Sequence, residues 1–579
     1  MRASGLAKPF AAALALALLS LAAWHGYGQS FEPSGPLPGV VAAPVEAETL
    51  FRFPVGGVVS SGPTIRAGRA WLLSDSKVLY VLTIDGVAIG RRELSERRSA
   101  FLVADDYGRA AVSSGLTGMA IINKAGQEVW RVDLGVAPSS VPVFSSDGRL
   151  FVTAAGALVA FAPNGRRLWR NALEAEPSAP LVIGPGGGPA IALQDGTLVL
   201  YSPDGMLLGT TKLEASALAL ASSPRDICVA LADGRLAIVK LDSSGSLKAA
   251  VSIGRGLGAK PIGLAWSTDG FYALGSDGTL VAIGINYEES WRVATRLGAG
   301  PAALAAFDGR VITLTKTAVH SYGADGSPYR TLGLSNTVSL PAIAPNGSVF
   351  AGGADWILYA YRFERGLVSG SAPSVPPLDL EAIDAVAKEE AMWSIAPYDD
   401  SIVMENLYDI EKSVKSGTIE GGVRSSLSYA AAVALGRMDS PFGSGTATTG
   451  PSPRGALPRV YACGLLGGIG LPQAVSVLVD VFKNDPEPAV RAAAALAVAQ
   501  IGLDPEGGAL EAFAKASERG LDARTASAIV DAIDGLYRAS GALDERSGML
   551  ALIRIAGGEY PRDIKAKAQK VLARISTAR

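Results

Sequence analysis

From about residue 50 to residue 365 the chain alternates short apolar runs with tight-turn dipeptides. Ser145-Ser146-Asp147-Gly148 leads into Arg149-Leu150-Phe151-Val152, Gly156 leads into Ala157-Leu158-Val159-Ala160-Phe161, and Asn164-Gly165 follows. Gln194-Asp195-Gly196 and Ser276-Asp277-Gly278 open two more copies of the middle portion. Runs this short, rich in Val, Leu, Ile and Ala, suit strands and are too short for helices. Asp-Gly and Asn-Gly accept the positive φ that hairpin turns demand. One turn glycine recurs at Gly86, Gly126, Gly165, Gly205 and Gly245, then at Gly326 after a double interval that lacks its glycine near Glu288. A period near 40 with four strands per unit predicts propeller blades. One blade cannot bury both faces, so blades must close into a ring. Units starting near Gly62, Ala100, Ser140, Ser178, Ala217, Pro261, Pro301 and Val338 predict an eight-bladed β-propeller over residues 50–370, or a seven-bladed one if a terminal unit is degenerate. The last unit lacks an obvious closing strand, which residues 55–60 (VGGVVS) are expected to supply.

The period changes after a Pro-rich hinge at 371–378. Residues 379–579 predict an α-α helical solenoid, making the chain a multidomain β + α protein. Leu380, Ile383, Val386, Ala387 and Met392 fall on one face of a first helix. A helix over 472–482, a break at Asp485-Pro486 and a helix over 489–501 ended by Gly502 form a clear pair. Further pairs are predicted at 508–519 with 523–539 and at 545–555 with 562–575, and 425–437 and 458–470 read as inner helices of degenerate earlier units. Pairs with such a period stack into solenoids. Residues 439–455 are low in complexity and read as a flexible loop inside this part.

Hydrophobic residues make up 49% and charged residues 18%, enough apolar material for large cores. The net charge is −2, so no global basic field exists to hold nucleic acid. Arg2 and Lys8 precede an apolar run, residues 10–24, that is short for a membrane span, and Gly26 and Gly28 provide small residues at a cleavage site. Residues 1–28 therefore read as a signal peptide, 29–49 as a linker, and the mature chain as an exported protein, periplasmic or secreted, with no integral membrane span. An uncleaved anchor is the alternative.

Two resemblances sharpen this picture. Ala120-Ile121-Ile122-Asn123-Lys124-Ala125-Gly126-Gln127-Glu128-Val129-Trp130 resembles the repeat of PQQ-type (pyrroloquinoline-quinone-type) propellers. Gly165 and Trp169 repeat its Gly-to-Trp spacing, and Trp291 stands in the matching place of a third unit, whereas Gly90, Gly209, Ala249 and Arg330 occupy that offset elsewhere. The resemblance implies that this Trp packs between adjacent blades. Residues 471–502 resemble a HEAT repeat through Asp485, Pro486, Val490, Arg491, Ala492–Ala495 and Gly502. The propeller is also similar to periplasmic propeller lipoproteins that help assemble outer-membrane proteins, although no Cys stands near the expected cut to carry a lipid.

Little chemistry is available. The histidines are His25 and His320; the cysteines, Cys228 and Cys463, lie in different halves, which disfavours a disulfide or a zinc site. Asp105-Asp106 is the paired carboxylate in a strand context, read as a solvated turn before Gly108. A quinone-dependent dehydrogenase would need a general base beside a calcium, and many have an adjacent Cys pair, which this chain lacks. Gly184–Gly188 has no following Lys-Ser/Thr to make a phosphate loop, Gly254–Gly258 reads as a blade connection, and Asn346-Gly347-Ser348 matches a glycosylation acceptor only in a eukaryotic secretory route. Lys565, Lys567, Lys570 and Arg574 read as a solvated capping face of the last helix. No catalytic, cofactor-binding or metal residue is expected; Gly126, Trp130, Gly165, Trp169, Trp291, Asp485 and Arg491 are expected as structural repeat positions. The expected function is a non-enzymatic scaffold of the bacterial cell envelope that binds protein partners. The alternatives are small-molecule or glycan binding in the propeller channel, or a degenerate PQQ-dependent dehydrogenase.

Overall fold

The computed structural model describes residues 48–59, 62–94, 101–242, 245–295, 301–364, 400–416, 423–437, 456–541 and 546–577, with residues 43, 44, 297, 367, 378, 383 and 385. The signal peptide expected at 1–28, most of the hinge, most of the helix expected near 380–392 and the loop expected at 439–455 lie outside the described residues.

Eight sheets form an eight-bladed propeller. Blades 1 to 7 span 64–93, 102–133, 143–172, 182–212, 217–253, 261–294 and 302–333. Blade 8 combines 342–362 with a strand from the start of the propeller, Glu48–Pro54, hydrogen-bonded antiparallel to Ile357–Arg362. This closing strand was expected at 55–60. Gly56 there has a φ of 26°, outside strand geometry, whereas Glu48–Pro54 alternates and places Phe51 against Phe350 and Phe53 against Tyr80. The linker assigned to 29–49 therefore already contains propeller. Residues Ala43–Pro44 also pair, parallel, with the outer strand of blade 7.

Neighbouring blades interlock through one recurring contact. The Trp130 ring lies against Gly165 of blade 3, and its Nε1 donates to the Pro163 carbonyl at 2.9 Å. Trp169 repeats this with Gly205 and Pro203 (2.9 Å), and Trp291 with Gly326 and Ala324 (2.7 Å). Each of these glycines has a positive φ and no room for a Cβ, because the ring occupies that space. Where the Trp is absent, other groups fill the place. Phe51 lies on Gly86 at the ring closure. Arg330 donates to the Phe363 carbonyl at 2.9 Å, keeping the hydrogen bond without the ring. Blade 5 has Ala249 at the Trp offset, and the next blade carries Tyr287 at the turn position held elsewhere by glycine. Tyr287 takes a φ of 66°, donates to Asp226 at 2.8 Å and receives Lys240 Nζ at 3.9 Å from its ring centroid. This is the interval that lacked its glycine.

Nine helices follow among the described residues: α1 Asp400–Ser416, α2 Val423–Ala434, α3 Ala456–Ile469, α4 Ala474–Asn484, α5 Pro488–Ile501, α6 Gly508–Ala516, α7 Ala523–Ser540, α8 Arg546–Gly557 and α9 Arg562–Thr577. They stack in two layers, with α3, α5, α7 and α9 in one and α2, α4, α6 and α8 in the other. The helices expected at 425–437 and 458–470 are thus partners from opposite layers, not two inner helices. Small residues set the α3–α5–α7 spacing: a Cβ on Gly467 would overlap Ala497, and one on Gly535 would overlap Ala499. Arg459, fully buried on α3, pairs with Asp485 at 2.8 Å in the turn before α5. Arg491 on α5 donates to the Asp485 and Pro486 carbonyls and reaches Asp522, which caps the N-terminus of α7. The same rung is thereby repeated from one pair to the next.

The interlock predicts a contrast between two glycines of similar φ. Gly245→Ala meets nothing within 4 Å and should cost only the left-handed strain, about 1–2 kcal/mol. Gly165→Ala adds an overlap with Trp130 and should cost roughly 1–3 kcal/mol more. Urea midpoints at constant slope measure both; equal losses would refute the interlock.

Candidate functional site

In a four-stranded antiparallel blade the first and third turns open at one end and the second turn at the other. The first and third turns of blades 2 and 3 meet the solenoid. Three successive helices of one layer end there on left-handed glycines: α3 at Gly470, α5 at Gly502 and α7 at Gly541. Gly470 lies on Asn164, Gly541 lies on Asn123 and Ala125, and Leu503, just beyond Gly502, lies on Gly148. Helix C-termini carry carbonyls without intrahelical partners and a partial negative charge. The two asparagines supply amide donors to them. Asn123 Nδ2 donates to the Arg538 carbonyl at 2.8 Å, and Asn164 Nδ2 to the Gly467 carbonyl at 3.4 Å. Their Oδ1 atoms meanwhile hold the propeller turns, accepting from Ala125 and Gln127 in one case and Arg166 in the other. A single apolar cluster runs through the junction, from Phe151, Leu158 and Trp169 to Leu466, Val498, Leu503 and Phe513.

Buried ion pairs brace the propeller side. Arg109 Nε and Nη2 both meet Asp105 Oδ2 at 2.7 Å, and the same guanidinium donates to the Pro163 and Gly148 carbonyls of blade 3. Arg149 pairs with Asp147 at 2.8 Å and reaches Asp204 and the Pro203 carbonyl of blade 4. Asp147 also accepts from Gln473 Nε2 of the solenoid at 2.7 Å. Burial alone would raise the Asp147 carboxyl, but Arg149, Ser145 and Gln473 hold it below the usual carboxylate range. Burial also raises the Tyr107 phenol, together with the nearby Asp147 and Asp105 carboxylates; its hydroxyl donates to the Ser146 carbonyl at 2.7 Å.

The residues singled out for chemistry go to structural tasks. Asp105 is buried against Arg109, which corrects its reading as part of a solvated turn, and Asp106 pairs with Arg66 at 2.7 Å. His320 Nδ1 is 3.0 Å from Thr331 Oγ1 within blade 7. Cys228 and Cys463 are buried free thiols, each pushed by burial up to about 12. Gly184–Gly188 surrounds a single 3₁₀ turn, and Gly254–Gly258 connects blades 5 and 6. Lys567 and Arg574 of the proposed solvated face instead pair with Asp531 and Asp534 of α7. Among the described residues no group of three or more His, Cys, Asp and Glu is placed to hold a metal. Asn123, Asn164, Gln473 and Arg459 were not legible as junction or ladder residues, since each looks like an ordinary turn or helix residue until its long-range partner is known.

With this geometry in place, residues 118–262 match the family described as outer membrane protein assembly factor BamB, and residues 455–534 match HEAT repeats. The chain joins PQQ-like propeller repeats to HEAT-like repeats. Both are a protein-interaction scaffold kind of fold. No curated protein matches the chain. Similar solved structures include the computationally designed Ika8 protein (16% identity, TM-score 0.45, covering 54% of this chain and 98% of that one) and BamB from Moraxella catarrhalis (14%, 0.42, 55% and 100%). Another is Sqt1 from Saccharomyces cerevisiae (11%, 0.44, 55% and 100%). These likenesses are of the propeller fold alone. No helix among the described residues is long and apolar enough to cross a membrane.

Two outcomes are expected at the junction. Asn123→Asp together with Asn164→Asp turns amide donors into carboxylates facing helix carbonyls, which should cost about 1–3 kcal/mol per site. Limited proteolysis should then cut between the propeller and α1 while the propeller stays protected. Separately, Asp147 has a folded pKa below its unfolded value of about 3.9. Its contribution is complete above that value and is lost as the pH falls through the folded pKa. The urea midpoint should therefore drop below about pH 4, and less so in Asp147→Asn.

Proposed function

We propose that this chain is a non-enzymatic scaffold of the bacterial cell envelope that holds protein partners on propeller and HEAT-repeat surfaces. The junction carries this reading. It fixes two repeat arrays in one relative orientation, so that partners on each are held in register. The end of the propeller opposite the solenoid displays large apolar side chains, Leu116 at 86% exposed on blade 2 and Trp356 at 58% on blade 8.

A reading without catalysis is supported by the fate of the candidate groups, since Asp105 is occupied by Arg109 and both thiols are buried. Export is supported by the N-terminal pattern of Arg2, Lys8 and the apolar run, and envelope assembly work by the name of the family matched at 118–262.

Photo-crosslinking in the source cells, with the probe at position 116 or 356, tests this. Protein-sized adducts on an exported chain that begins at Gln29 are expected. A chain confined to the cytoplasm with residues 1–28 retained, or small-molecule adducts alone, would overturn it.

A further inference from the structure

A cleft of about 280 Å³ lies between the first turns of blades 1 and 2 and the α5–α6 turn. Its propeller wall includes Arg69, Tyr107 and Lys124; its solenoid wall includes Leu503, Asp504 and Leu510. Seven turns of the propeller carry Gly-Arg, and those at Arg109, Arg149, Arg235 and Arg310 have an acid within four residues before the Arg. Asp105 serves Arg109, Asp147 serves Arg149 and Asp233 serves Arg235, each through the Arg Nε at 2.7 to 2.8 Å, and Asp308 precedes Gly309-Arg310. Blade 1 reads Ile65-Arg66-Ala67-Gly68-Arg69 and has no acid in the turn. The Arg69 Nε is buried and makes no hydrogen bond. A buried donor left without a partner is costly, and this one lines a cleft.

We infer that the cleft receives the carboxylate of an Asp or Glu side chain from a partner peptide, which takes beside the Arg69 Nε the place that Asp105 fills beside Arg109. The inference rests on the interaction reading for the existence of a partner, but the site is defined by its own geometry. The acids already present do not satisfy Arg69. Asp106 is engaged by Arg66, and the Asp504 oxygens accept from the Ala509 and Leu510 amides at the start of α6. Their remaining negative charge favours a singly charged carboxylate over a phosphate. The volume suits one or two residues, since pockets for whole drug-sized ligands begin near 300 Å³. Leu503 and Leu510 supply apolar surface for a neighbouring Leu or Val of the peptide.

An array of immobilised peptides tests this with the purified full chain. One set has a central Asp or Glu flanked by apolar residues, a second has Asn or Gln there, and a third has phosphoserine. The acid-centred set should retain the chain. Arg69→Gln should weaken retention about tenfold or more. Ala67→Asp places an acid two residues before Arg69, as in the Asp-Gly-Arg sequences of blades 3 and 5, at an exposed position with φ of 49°, which Asp tolerates. It should satisfy Arg69 internally and abolish retention without lowering the unfolding temperature, so loss of fold is separable from loss of the site. Equal retention of acid and amide sets, retention of none, stronger retention of phosphoserine, or unchanged binding by both variants would overturn the inference. None of these results bears on export or on crosslinking in cells, which judge the scaffold reading separately.

Discussion

Three helix ends seated on neighbouring propeller turns are the constraint on which the rest of the molecule depends. Helices of one layer pack about 8–10 Å apart, so α3, α5 and α7 can all land on turns of blades 2 and 3 only if those turns share that spacing. Each landing needs a left-handed residue to end its helix; Gly470 and Gly541 meet the propeller turns themselves, whereas Gly502 clears Ala539 of α7 and leaves the contact to Leu503. It also needs something to satisfy the last carbonyls. Water does this at an exposed helix end; here the Asn123 and Asn164 amides do it. An aspartate would hold the propeller turn equally well, as Asp325 does in blade 7, yet its charge would oppose the helix dipole. An amide at these turns thus serves both arrays at once, where an acid would serve the propeller alone.

The propeller shows how a repeat tolerates loss of its signature. The Trp–Gly contact supplies both a ring that fills the space between blades and a donor that satisfies a turn carbonyl. Arg330 replaces the donor, Phe51 replaces the ring, and Tyr287 supplies bulk from the opposite side of the same gap. The arginine staples work alongside, because Arg109 and Trp130 converge on one carbonyl, that of Pro163. A carbonyl has two lone pairs, and here both are used. Burying those charges is compensated by the in-turn aspartates Asp105 and Asp147, since an unpaired buried guanidinium would cost several kcal/mol.

The eight blades and the helix pairs from Leu471 onward were legible because they rest on local physics: turn chemistry, strand length and helical period. The closing strand was misplaced because valines attract a strand assignment, while the alternation of Phe51 and Phe53 lay inside a stretch read as linker. Helix α1 escaped notice although Val403, Leu407, Ile410 and Val414 recur at helical spacing. The junction was beyond reach for a different reason. Asn164 and Gly467 are about three hundred residues apart, and nothing in either neighbourhood signals the other. Asp105 was misread for a related reason: its partners lie in its own turn, but Arg109, which it neutralises, is held by the Pro163 and Gly148 carbonyls of blade 3.

A ring of similar blades has no intrinsic starting point, so a partner recognising generic blade features could bind in several registers. The seated solenoid removes that degeneracy. It covers the first and third turns of blades 2 and 3 and leaves the corresponding turns of blades 5 to 8 clear of the contacts described, giving the propeller a front and a back. It also makes blade 1 unlike the others, because the blade 1 turn is the neighbour of the α5–α6 turn without being buried by it. There the Gly-Arg turn has no acid of its own. At Arg109 and Arg149 the arginine could not lose its aspartate without leaving a charge stranded between blades. At blade 1 the arginine faces a cleft with two walls from two different repeat arrays. A group that fills this cleft must touch both arrays at once, so its affinity would depend on the junction being closed.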